Sequence, residues 1–136
     1  MIYLDANFFL FASLDTTHKG ENARKIQDSV IKGKRNAVTS ALAMDEIMWV
    51  LIRNNKKHIM KTIVEGIYSI PNLEVISVSP TVPLLAVELI ENYHLLPRDA
   101  FHAASMRELK ITDIVSDDVD FDQVEWIKRI PIKSLS

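Results

Sequence analysis

An apolar run opens the chain and stops on a charge: in MIYLDANFFL, residues 1–10, the break falls at Asp5. Apolar residues followed at once by a carboxylate describe a buried strand whose end reaches solvent. In an open parallel sheet, ligands sit beyond the carboxyl ends of the strands, so Asp5 and Asn7 would lie at a crevice. A strand-end Asp also starts turns and caps helices, and Asp5 alone does not decide between these roles. The positions of the other acids do.

After Asp5, Phe8 to Leu14 are almost wholly apolar, which predicts a short helix buried against a sheet. Asp15 to Gly20 then reads as a loop. From Glu21 to Lys32, Ala23, Ile26 and Val30 recur at helical spacing, with Gly33 placed to end the helix. Asn36 to Thr39 predicts a second strand, and Ser40 caps a helix running to about Arg53. That helix is apolar nearly all round yet carries Asp45 and Glu46. A carboxylate in a mostly buried helix is costly unless it meets a cation, a metal or hydrogen-bond donors.

Ile59, Ile63, Ile67 and Ile70 mark the next helix, Leu73 to Val78 a third strand, and Ser79 with Pro80 the opening of another helix. Nothing between Asn55 and Tyr93 assembles chemical groups, apart from Lys56, Lys57 and Lys61 as candidate phosphate contacts. In LPRDAFHAASM, Pro97 pre-sets a first helical turn that contains Asp99, and Ala100, Ala103 and Ala104 let the helix lie close to a sheet. His102 stands one turn after Asp99, within reach of that carboxylate or of a phosphate, with a packed, hydrogen-bonded imidazole as the favoured reading. In ITDIVSDDVDF, residues 111–121, a β-branched strand runs into acids at 117, 118 and 120. Such crowding of like charge calls for a cation. An EF-hand loop is excluded, because Gln123 replaces its glycine and Arg129 stands where its bidentate Glu belongs. Ile130 to Lys133 closes the chain as an expected edge strand, with Trp126 and Ile127 in the core.

Strands thus alternate with helices throughout, which predicts a three-layer α/β/α fold on a central parallel sheet, in one domain spanning residues 1–136. At 48% apolar, a chain of this length can bury one continuous core. No segment reaches the roughly 20 apolar residues of a membrane span, and no basic leader precedes the opening run, so neither anchor nor signal peptide is expected. The absence of Cys excludes thiolate metal sites and fits a reducing cytoplasm. A net charge of −2 argues against a nucleic-acid partner until five of the 18 acids are set aside in a pocket, when basic residues are in excess over the rest. Clustered carboxylates without Cys suit magnesium or manganese.

Taken in order, MIYLDANFFL, VTSALAMDEIMWVL, LPRDAFHAASM and IVSDDVDFDQV resemble the four acidic blocks of the PIN domain, over nearly the full chain. Each block is weak alone, but the ordered set is specific. The resemblance implies a metal-dependent ribonuclease fold like that of the VapC toxins of prokaryotic toxin-antitoxin pairs and of stand-alone PIN proteins. It implies Asp5, Glu46, Asp99 and Asp118 as catalytic metal-binding acids, Asp120 as an auxiliary ligand, and Asn7 and Ser116 as polar residues that orient them. Arg98 and His102 would hold the RNA backbone. Mg2+ or Mn2+ would be the cofactor, RNA the substrate, and an antitoxin and a second copy the partners. Sequence leaves open which of Asp117, Asp118 and Asp120 touches metal, and only the family pattern selects Glu46 over Asp45. Two alternatives stand beside this: a haloacid-dehalogenase-like phosphatase with Asp5 as nucleophile, in which Asn7 replaces the required second Asp, and an RNA-binding module without turnover.

Overall fold

The structure is a computed structural model and describes residues 1–135; Ser136, the last residue of the expected domain, lies outside the described residues. Strand β1 (Ile2–Leu4) is buried along its length and ends on Asp5, whose carboxylate accepts the Phe8 N–H at 2.9 Å and so caps helix α1 (Ala6–Leu14). Helix α2 (His18–Ile31) starts earlier than expected. The Asp15 carboxylate collects the Thr17 and Gly20 N–H groups at 2.7 and 3.3 Å, which organises the turn into a helix start. A Cβ on Gly20 would lie 2.0 Å from the Asp15 carbonyl oxygen, so only glycine lets α1 and α2 meet here. Gly33, at φ +78°, ends α2: its N–H reaches the Val30 carbonyl and the Lys34 N–H that of Ser29.

Strand β2 (Ala37–Ser40) leads directly into α3 (Ala41–Arg53), and a 3-10 turn over Lys57–Ile59 precedes α4 (Met60–Tyr68). Strand β3 (Leu73–Ile76) is two residues shorter than expected, and α5 (Val82–Asn92) begins past Pro80, with Pro83 in its first turn. Helix α6 (Pro97–Glu108) and strand β4 (Asp113–Val115) follow, then a 3-10 turn over Val119–Gln123. The last strand, β5, is Lys128–Ile130 and not Ile130 to Lys133. The Ile132 N–H turns back to the Asp117 carboxylate at 3.0 Å, and Ile132 is buried in a closing 3-10 turn, Ile132–Leu135.

All five strands are parallel, in the order β3-β2-β1-β4-β5, with β3 and β5 at the edges. Alternate residues serve opposite faces. Ile2, Leu4, Ala37 and Val115 join the apolar cluster that includes Phe8, Phe9, Ile26 and Ile47 from α1 to α3, while Tyr3, Val38 and Ile114 join the one built on α5 and α6. Ala100, Ala103 and Ala104 are wholly buried, which lets α6 lie close against the sheet. The winding of the sheet reverses between β1 and β4, the switch point of a doubly wound sheet, where a crevice opens. Asp5 ends one of these strands and Ser116 the other. The expected three-layer arrangement is therefore present. No helix among the described residues is long and apolar enough to cross a membrane.

Candidate metal centre

Four segments deliver carboxylates to the crevice: the end of β1, the second turn of α3, the first turn of α6 and the segment after β4. One oxygen each from Asp99, Asp118 and Asp120 lies within 4.8 Å of the others, all three side chains being half-buried. Asp118 caps the 3-10 turn by accepting the Asp120 N–H at 3.0 Å, which holds these two acids in fixed relation. Asp99 pays for its position. Burial first, then the charge of Asp118 and a hydrogen bond with it, push its carboxyl up to about 7. A carboxyl group that keeps its proton near neutrality beside other acids forms a place where a dication can substitute for that proton, and the all-oxygen donor set suits a hard ion.

Asp5 lies deeper, at 6% exposure, beside the buried Ser116. Burial raises its pKa against the Ser116 hydroxyl and Phe8 N–H that hydrogen-bond it. Ser116 also accepts the Asp118 N–H at 3.0 Å, so one hydroxyl links the acids that end β1 and follow β4. Asp5 does not belong to the tight group of three, and neither does Glu46, although the charge of Glu46 acts on both Asp5 and Asp99. An open depression of about 400 Å³ lined by Glu46, Leu96, Pro97, Arg98 and Asp99 gives access from solvent.

The ambiguities of the sequence separate here. Asp45 is exposed and pairs with Arg98 at 3.3 Å, whereas Glu46, one residue and about 100° further round α3, turns inward. Asp117 binds the Lys19 ammonium at 2.7 Å and the Ile132 N–H; burial opposes its ionisation, but these partners lower its pKa on balance. It serves to tie α2 and the closing turn to β4. Arg129 holds Asp122 through two hydrogen bonds of 2.9 and 3.0 Å and donates to the Ser116 carbonyl, bracing the turn that carries Asp118. Asn7 is exposed on the first turn of α1.

His102 requires a correction. Its ring is 2% exposed, with Nε2 2.5 Å from Glu46 and Nδ1 2.5 Å from the Tyr3 hydroxyl, so both nitrogens are taken and it cannot hold an RNA phosphate. It is instead the packed, hydrogen-bonded imidazole that the sequence favoured, with Glu46 and Tyr3, not Asp99, as its partners. Tyr3 itself is a contributor that its position in an apolar strand concealed, since only the fold brings it under α6.

The chain is 26% identical over 145 residues to Ribonuclease VapC2 of Methanocaldococcus jannaschii, covering 96% of this chain and 93% of the relative. Among solved structures it resembles Mycobacterium tuberculosis VapC20, described as a Sarcin-Ricin loop cleaving toxin, with a TM-score of 0.74, 17% identity and coverage of 93% and 97% of the two chains. It also resembles a chain of a toxin-antitoxin complex from Klebsiella pneumoniae, with a TM-score of 0.68, 14% identity and coverage of 97% and 98%. At such identities these structures speak for the fold. The family model for the PIN domain matches residues 2–127, nearly the whole sequence, and the chain belongs to that family.

Proposed function

We propose that this chain is a single-domain ribonuclease of the VapC type, which hydrolyses RNA phosphodiester bonds with Mg2+ or Mn2+ held at the switch point of its sheet. The carrying observation is the convergence of Asp99, Asp118 and Asp120, with the Asp99 carboxyl raised to about 7 by burial and by its neighbour's charge. Asp5 and Glu46 complete the acidic lining, and Ser116 fixes Asp5 relative to Asp118. A divalent cation bound there would activate water and offset the charge developing on the phosphate. The chain's own part is to present converging oxygens and to keep them oriented. Arg98, which lines the depression and pairs with Asp45, would meet the substrate backbone once Asp45 releases it.

The toxin reading is supported by the likeness to VapC2 and to the toxin-antitoxin complex. It brings with it an antitoxin partner, a homodimer and a cytoplasmic setting. Trp49 and Ile52, each 51% exposed on α3, offer apolar surface that a protein partner would cover. A phosphatase acting through Asp5 is less well supported, because Asn7 supplies no acid two residues on.

The test is RNA cleavage by the metal-depleted protein with Mg2+ or Mn2+ restored. Asp99→Asn and Asp118→Asn should each lower the rate by roughly 100-fold or more, as expected when a group holding the catalytic ion is removed. Variants that cut at the parent rate would refute the proposal; RNA retained but never cut by the parent would favour the binding module.

A further inference from the structure

The acids of this centre are not held equally. Asp5 is fixed by the Phe8 N–H and the Ser116 hydroxyl, and Asp118 by the Asp120 N–H. Glu46 has a longer, more flexible side chain, 19% exposed, and its hydrogen bond among the described residues comes from His102. A carboxylate only accepts, so the shared proton sits on His102 Nε2. That leaves Nδ1 as an acceptor for the Tyr3 O–H, which lies 2.5 Å away. The Ser40 hydroxyl, 1% exposed, has no hydrogen-bond partner among the described residues. Ring contact adds a further restraint: the Tyr3 and His102 rings meet edge to face with centroids 5.4 Å apart.

We propose that Tyr3 and His102 are positioning residues for the metal centre: a buried chain from the β1 phenol through the α6 imidazole fixes Glu46 on α3 and thereby sets the affinity for the divalent ion. The inference rests on the metal-ribonuclease reading and extends it to two residues outside the acidic set. Each link removes one freedom. The hydrogen bond from Tyr3 fixes the rotation of the imidazole about its own bond, and the fixed imidazole leaves Glu46 one orientation toward Asp99. Because the ring is sealed from solvent, water cannot stand in for either partner. Partners of this kind behind a metal-binding group are worth roughly 10–100-fold in metal affinity.

The full chain, stripped by chelator, is titrated calorimetrically with Mn2+ alone, comparing the parent with Tyr3→Phe, His102→Gln and His102→Leu. Thermal unfolding of each stripped variant reports whether it is folded. His102→Leu should weaken Mn2+ binding by about 10–100-fold and Tyr3→Phe by several-fold, with His102→Gln, which keeps an N–H donor toward Glu46, between His102→Leu and the parent. RNA cleavage should return toward the parent rate at saturating Mn2+, placing the defect in the metal concentration needed and not in the maximum rate. A purely structural role would lower the unfolding temperature and leave the Mn2+ affinity unmoved. Parent-like affinity in folded Tyr3→Phe and His102→Gln overturns the proposal, whatever His102→Leu does. A parent that takes up no Mn2+ overturns the underlying reading along with it, a result distinct from uptake that ignores these substitutions.

Discussion

A single carboxyl group shows how the site is tuned. Asp99 is raised from an ordinary value of 3.8 to about 7, by burial first and by the charge of Asp118 second. Between those values the folded, metal-free protein holds a proton that the unfolded chain has released. Its contribution to stability is complete below the lower value and is lost as pH rises through the upper one. Burial shifts Asp5 in the same direction. The metal-free protein should therefore unfold at a lower temperature at about pH 8 than at about pH 5.5. Asp99→Asn should flatten that trend, and Mn2+, which displaces the proton, should offset it. Parallel pH profiles for parent and variant, followed by scanning calorimetry, would show that no such proton is held. At this scale the sequence exposed the acids but not their directions. Glu46 and Asp45 are neighbours in sequence, and only the packing of α3 decides that one turns in while the other meets Arg98. His102 was legible as a packed, hydrogen-bonded imidazole, but its partners Glu46 and Tyr3 come from elements that only the fold brings together.

Helices and strands were legible where an apolar pattern was strong. β1, α3 and α6 lie where their runs of buried residues place them, whereas β2 is shifted by one residue to Ala37–Ser40 and the Ser40 hydroxyl makes no capping bond to α3. β5 was misplaced by two residues, because Lys128–Ile130 is a three-residue edge strand without an alternating apolar signature, and its position is fixed by pairing with β4. Element ends also carry the clearest backbone constraints. Gly20→Ala would drive a methyl group into the Asp15 carbonyl, so it should destabilise the protein by about 1–3 kcal/mol. Lys110 has the opposite fault. It closes α6 at φ 60°, with its N–H on the Arg107 carbonyl, a left-handed position that glycine fills with less strain. Lys110→Gly should stabilise by up to about 1 kcal/mol. Denaturant titration of both variants checks the pair, and a neutral Gly20→Ala would mean that the α1–α2 junction is not tight.

Across the whole molecule, the acids come from segments that lie far apart in sequence and meet only because the parallel sheet reverses its winding beside β1. The alternation of strands and helices made this topology readable, since each unit is short and parallel pairing leaves few arrangements. What no local pattern records is the depth of each acid in the crevice, which depends on how closely α6 settles on the sheet. A cation joining Asp99 on α6 to Asp118 after β4 would cross-link the two sides of the crevice. At Mn2+ concentrations near 100 times the dissociation constant, stability should rise by about 2.7 kcal/mol, seen as a higher unfolding temperature. Asp118→Asn should abolish most of that increment. An unchanged parent would mean that the fold does not bind the ion.

Arg98 reaches the rim already matched by Asp45, in a pair whose side chains are 47% and 53% exposed. A strand phosphate arriving there would take the guanidinium from a carboxylate, and the displaced Asp45 would keep a dissolved cation near the strand. Fewer condensed ions would then be set free than by a bare arginine, so this contact would weaken less steeply with added salt.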